Sequence, residues 1–241
     1  MAEDWLLTIW SDDRTDLWHG EARRLRATLN AISAGVRAHY GEPLTWRSED
    51  LDADGWRDMD RLAALLDGDQ LRDDVGTIMK GGGANGTVQG YLGDRLQNMT
   101  NMQYGAGSDQ TPFHCTVHFY AGDPERGARP VNEHPAAWLV QLLAETAQAT
   151  GDNVSLARIH TNRLSRLLRR VRPLSTIGAM TLAPATVDTA ALPASITVHP
   201  CPSLPDRVVL AANLTQVTSD PESVVADLIA AEDAINQSVR G

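Results

Sequence analysis

Cysteine is scarce in this chain, with two residues in 241, and Cys115 and Cys201 form neither a CxxC pair nor a disulfide framework. Cys115 falls on the apolar side of a candidate strand, so it reads as a buried thiol. Aromatic residues make up only 5 % of the chain. Positive charge is also short: 21 Lys and Arg stand against 31 Asp and Glu, a formal net charge of -10 and a pI of about 5.1. A binder of phosphate backbones is usually basic, so broad nucleic-acid binding is disfavoured and a basic protein partner is the better physical expectation. No apolar run approaches the roughly 20 residues of a membrane span. The start, Met1-Ala2-Glu3-Asp4, is acidic and has no basic or apolar leader pattern, which points to a cytoplasmic protein.

Catalytic motifs are missing too. Gly81 to Thr87 is glycine-rich, but Thr87 stands where a phosphate loop needs lysine. Gly105-Ala106-Gly107-Ser108 lacks the last glycine of a nucleophile elbow. Ser, His and Asp are plentiful, yet no spacing selects a triad. His114 and His118 share one strand face with Thr116 between them. Their Cα atoms would lie about 13 Å apart, too far for one metal, so both read as structural.

What the chain does contain is an apolar core, with 42 % hydrophobic residues. Phe113 to Tyr120 reads as a central strand: Phe113, Cys115, Val117 and Phe119 fall on one face, and His114, Thr116, His118 and Tyr120 on the other. The first face should lie against helices and the second should be partly covered. Trp5 to Trp10 is a first strand. After it Trp18, Ala22, Leu25, Leu29, Ile32 and Val36 form the stripe of a long helix, with Asp16 as N-cap and Gly41 as stop. Arg23, Arg24, Arg26 and Arg37 lie opposite, as a solvated face. Leu44 to Arg47 is a short strand and Trp56 to Leu66 an amphipathic helix. Gly81 to Gly86 reads as a connector and Gly105 to Asp109 as a turn. Strands at Val88–Leu96, Met99–Tyr104 and Phe113–Tyr120 make an antiparallel meander.

Pro135 opens a second long helix with Trp138, Leu139, Leu142, Leu143 and Thr146 inward, and Gly151 ends it. A strand over Val154–Ile159 leads to a basic helix, Arg163 to Arg172, with Leu164, Leu167, Leu168 and Val171 inward. Its arginines read as solvated or as facing the chain's own acidic segment, because no aromatic residue interleaves them. Strands at Thr176–Leu182, Ser195–His199 and Arg207–Leu214 follow. Asp220-Pro221 starts a last helix with Val224, Val225, Leu228, Ile229, Ile235 and Val239 as its core face. The expected class is α+β, a largely antiparallel sheet with long amphipathic helices on one face. Two halves of similar element order, 1–134 and 135–241, pack as one unit.

The strongest charge feature runs from Glu49 to Asp74. Ten carboxylates there face three arginines, leaving about −7 of the chain's -10. Within it, Asp50-Leu51-Asp52-Ala53-Asp54-Gly55 matches the first six positions of a calcium loop, and Asp58 the ninth. The twelfth position, which needs a bidentate carboxylate, is Arg61, so the expectation is an acidic turn with Asp54 capping the following helix and no metal. As a functional feature the segment offers Asp50, Asp52, Asp54, Asp58, Asp60, Asp67, Asp69, Asp73 and Asp74 to a cationic partner. Dense carboxylates imitate the phosphates that a nuclease cleft holds, and they speed association.

Gly90-Tyr91-Leu92 through Tyr104-Gly105-Ala106-Gly107, the strand that follows, and Ser175-Thr176-Ile177-Gly178-Ala179-Met180-Thr181-Leu182-Ala183-Pro184 together resemble the immunity proteins of bacterial polymorphic toxin systems. The family in question is paired with restriction-endonuclease-like toxin domains. The resemblance spans most of the chain and rests on element order more than on fixed residues. It implies an α+β fold, no catalysis, no cofactor, and tight binding to a toxin made by the same cell. Two other classes stay open: a small hydrolase or transferase assembled from distant loops, which a cleft gathering His114, His118 and a perturbed carboxylate would favour, and a calcium-responsive adaptor.

Overall fold

The computed structural model describes residues 3–14, 18–72, 75–79, 82–93, 95–109 and 112–240. Its framework is one antiparallel sheet of nine strands in the order β2-β3-β4-β5-β1-β6-β7-β9-β8. The strands are β1 (Trp5–Ser11), β2 (Leu44–Arg47), β3 (Ala84–Leu92), β4 (Thr100–Ala106), β5 (Phe113–Phe119), β6 (Val154–Thr161), β7 (Met180–Pro184), β8 (Thr197–Pro200) and β9 (Arg207–Ala211). The helices are α1 (Trp18–Tyr40), α2 (Met59–Gly68), α3 (Ala136–Thr150), α4 (Asn162–Val171), α5 (Leu214–Ser219) and α6 (Val225–Arg240).

The middle strand is β1, not β5. It pairs antiparallel with β5 on one side and with β6 on the other. Alternation places Trp5, Leu7 and Ile9 of β1 with Phe113, Cys115, Val117 and Phe119 of β5 on one face, all fully buried. Trp5 stacks on Phe119 with ring centroids 3.9 Å apart. Helices α1, α2 and α3 cover that face. Gly35 lets α1 and α3 approach: a Cβ there would stand 2.7 Å from Leu142 Cδ1, and Trp138 Nε1 donates to the Gly35 carbonyl at 2.8 Å.

The helices do not all share that face. Leu164 and Leu168 of α4 and Leu228 and Ala231 of α6 form a second core with Ala183 of β7 and Leu210 of β9. Met180 and Leu182 of β7 and Val209 of β9 point into the first. Strands with apolar side chains on both faces must be covered twice. The central strands β4, β5, β1 and β6 carry polar side chains on their second face, and there the sheet is left partly open.

Several boundaries differ from the sequence expectation. Ala84-Asn85-Gly86 and Gly105-Ala106 are strand, not connector and turn, because their partners across β3 and β4 supply the ladder. The hydrogen-bonded part of the strand expected from Thr176 begins at Met180, and the strand expected to run to Leu214 ends at Ala211, with the unforeseen helix α5 starting at Leu214. Arg24 is not solvated: its guanidinium donates to the Asp13 carbonyl at 2.8 Å, sits 3.4 Å from Glu21 and lies over the Phe113 ring. Val171 and Val239, expected inward, are exposed. The expected cap Asp16 lies outside the described residues.

Candidate functional site

Two surfaces stand out, and the sheet separates them. The first is the acidic segment. Leu62, Ala63 and Leu66 anchor α2 against α1, so the helix turns its remaining face to solvent. Asp50, Asp52, Asp54, Asp58, Asp60 and Asp67 are exposed and Asp69 is half-buried; Asp73 and Asp74 lie outside the described residues. The helix does not start at Trp56. Gly55–Arg57 is a single 3-10 turn, and the side chain of Asp58, not Asp54, caps α2 by accepting from the amides of Asp60 at 3.0 Å and Arg61 at 3.2 Å.

The loop that matches a calcium site is held by its own contacts. Asp52 Oδ1 accepts from the Gly55 amide at 2.7 Å, and Arg61 folds back to within 3.7 Å of the same oxygen. Asp54 lies 3.4 Å from Arg57 Nη1. Among the described residues no three His, Cys, Asp or Glu side chains are placed to hold a metal ion. Farther along, Asp60 lies 3.1 Å from His19 Nε2 and Asp67 Oδ1 accepts from Gln70 at 2.7 Å. Burial, together with repulsion from Asp50, raises the carboxyl of Asp69, and both carboxylates act on the buried Tyr104 hydroxyl. Two carboxyls that repel each other would be relieved by a positive partner.

The second surface is a cleft of about 640 Å³ on the open face of the sheet, walled by α4. Register builds its floor. Gln103 of β4 lies opposite Thr116 of β5, which lies opposite Thr8 of β1, which lies opposite Arg158 of β6. The next rows bring in His114 beside Trp10 and His160 beside Leu6. Thr8 Oγ1 lies 3.4 Å from Thr116 Oγ1 and 3.2 Å from His160 Nε2. From α4 come Asn162, Ser165, Arg166 and Arg169. The helix starts there because Thr161, the last residue of β6, caps it by accepting from the Leu164 amide at 3.2 Å.

The cleft is cationic, and among the described residues no carboxylate lines it. Arg158 is 7 % exposed; its Nη1 donates to the carbonyls of Ser175 at 3.3 Å and Ile177 at 3.1 Å, while its Nε is buried without a partner. Burial, reinforced by the nearby Arg169 charge, pulls Arg158 down to about 10. Burial and the Arg158 charge hold His160 neutral, down to about 3. Burial also lowers His114, which leans over the bare backbone of Gly105 and whose Nδ1 is buried without a partner.

The structure therefore separates the two histidines of β5. His114 joins the cleft; His118 pairs with Asp4 at 3.1 Å and tilts against Tyr120. The arginines of α4 do not meet the acidic segment, because the two lie across the sheet from each other. Arg166 and Arg169 face the cleft, and Arg172 binds Glu232 and Asp233 of α6. Sequence reading missed Thr8, Arg158 and His160, since nothing in the chain announces that β1 lies between β5 and β6. The signal that existed was polar residues on the second face of each strand: Thr8 in β1, His114 and Thr116 in β5, and Arg158 and His160 in β6.

No family model matches the chain, and no curated protein matches it. Among solved structures it is similar to "Pseudomonas aeruginosa T6SS protein PA0821", at 13% identity and a TM-score of 0.47, over 98% of this chain and 73% of that one. No helix among the described residues is long and apolar enough to cross a membrane.

Proposed function

We propose that this chain acts by binding rather than by turnover: an immunity protein that neutralises a basic, nuclease-type toxin made by the same cell by occluding it. The observation that carries this reading is the exposed acidic face along residues 49–69. Its carboxylates stand on α2, which packs on α1, and on the loop before it, and among the described residues their ion-pair partners are Arg57, Arg61 and His19. A preorganised anionic surface of this kind complements a cleft evolved for phosphates and steers its approach. The element order resembling toxin-immunity proteins supports the same reading. A cleft gathering His114, His118 and a carboxylate would have favoured the hydrolase alternative; His114 lies in the cleft and His118 pairs with Asp4.

The test is co-purification with the product of the neighbouring gene, together with rescue of growth when that product is expressed. Replacing Asp54, Asp60 and Asp67 together by lysine should weaken the complex by about tenfold or more and abolish rescue. Unchanged affinity and full rescue in that variant would remove the acidic face from the interface.

A further inference from the structure

The acidic-face reading leaves the cationic cleft unused, and the cleft has features that a solvated surface does not need. Arg158 sits on the floor, nine-tenths buried, with Nε unpaired. Arg169 stands close enough to repel it, and among the described residues Arg169 has no ion-pair partner. Among the described residues the Arg166 side chain donates to the Asn162 carbonyl within its own helix, at 3.3 Å, and forms no ion pair. Glu232 attracts Arg158, but its oxygens are already engaged by Arg172, Ser175, Thr176 and the Ile177 amide. Holding like charges together beside a buried guanidinium is unfavourable unless an anion joins them.

The remaining groups suggest which anion. Thr8, Thr116 and Gln103 add hydroxyl and amide donors to the floor. At one end, one row along β1 from Thr8, Trp10 is 41% exposed although it belongs to the central strand. Arginine forks match phosphate oxygens in pairs, and an uncovered indole offers a face for stacking a planar ring. A cavity of about 640 Å³ is of the size that holds a small organic ligand.

We infer that this cleft binds a phosphorylated small molecule carrying a planar ring, of the nucleotide class, with the phosphates on Arg158, Arg166 and Arg169 and the ring against Trp10. The site is independent of the acidic face. Loss of toxin protection without loss of nucleotide binding, or the reverse, tells the two readings apart.

The probes are ADP, inorganic pyrophosphate and adenosine, titrated calorimetrically and by tryptophan fluorescence into the full chain. ADP should bind saturably and quench Trp10, pyrophosphate should bind without that quench, and adenosine should bind far more weakly. Arg158 supports the floor, so the variants are made on exposed side chains. R166Q/R169Q should weaken ADP by about tenfold or more while its thermal unfolding stays near wild type. W10L should bring ADP down to the affinity of pyrophosphate. No saturable binding of ADP or pyrophosphate at millimolar concentration, an R166Q/R169Q variant that binds ADP as wild type does, or adenosine binding as well as ADP would each overturn the inference.

Discussion

Glu232 shows what one buried charge does for this fold. It is 4% exposed on α6. It accepts from Arg172 Nη1 at 3.0 Å, Ser175 Oγ at 3.1 Å, Thr176 Oγ1 at 3.0 Å and the backbone amides of Thr176 and Ile177. One carboxylate thus ties the irregular segment before β7 to the last helix. Glu232→Ala leaves those donors unpaired and should cost about 3 kcal/mol or more in urea unfolding. Glu232→Gln keeps an acceptor and should cost less. His134 is the second such residue. Its Nε2 donates to the Arg129 carbonyl at 3.2 Å, so its Nδ1 accepts from His39 Nε2 at 3.0 Å. Burial first, then the His39 and Arg129 charges, lower it to about 4, and His160 falls to about 3. Both are neutral when folded and protonate readily when unfolded. Below pH 6.5 the unfolded state takes up the protons, so stability falls with pH at up to about 1.4 kcal/mol per unit for each histidine, until the folded values are reached. Urea midpoints measured from pH 7 to pH 4.5 should show that slope, and His134→Phe should reduce it.

At the scale of elements, α2 joins stability to the acidic face. Its N-cap is Asp58, which also counts among the carboxylates offered to a partner. Asp58→Ala removes the acceptor for two amides and should destabilise the chain by about 1 kcal/mol. Asp58→Asn keeps the cap and removes the charge, so it should hold stability while loosening a cationic partner. Chemical denaturation and partner affinity, measured on both variants, separate the two roles. The same helix shows how much was legible beforehand. Leu62, Ala63 and Leu66 marked its buried stripe, but Asp54 and Asp58 are equally good caps by residue type, and the 3-10 turn between them decides for Asp58. Likewise Phe113, Cys115, Val117 and Phe119 fixed which face of β5 is buried. The glycines of β3 and β4 hid those strands' ends, because Gly86 and Gly105 are strand only through pairing: Tyr104 packs over Gly86 and His114 over Gly105. α5 was missed because Leu-Thr-Gln-Val-Thr-Ser is short and β-branched. What holds it is its cap, Asn213, accepting from Thr215 and Gln216. The cleft was the least legible part. Its floor draws residues from four strands, and a pairing order does not follow from periodicity.

Over the whole molecule, the sheet keeps charges of opposite sign apart. Carboxylates gather on the α2 side and unpaired arginines beside α4, on the opposite face, so the net charge of -10 understates the field at either end. A cationic partner is drawn to the α2 side and turned away from the cleft. Steering of this kind acts on the association rate and is screened over about 8 Å at physiological ionic strength. The association rate with the co-expressed partner should therefore fall steeply between low and high salt, while the dissociation rate changes far less. In the Asp54, Asp60 and Asp67 lysine variant the salt dependence should flatten or reverse. R166Q/R169Q carries its changes across the sheet and should keep the wild-type slope. Stopped-flow binding over a salt series measures all three. A salt slope steeper than wild type in R166Q/R169Q, which removes two positive charges, would mean that net charge, and not its placement by the fold, governs the encounter.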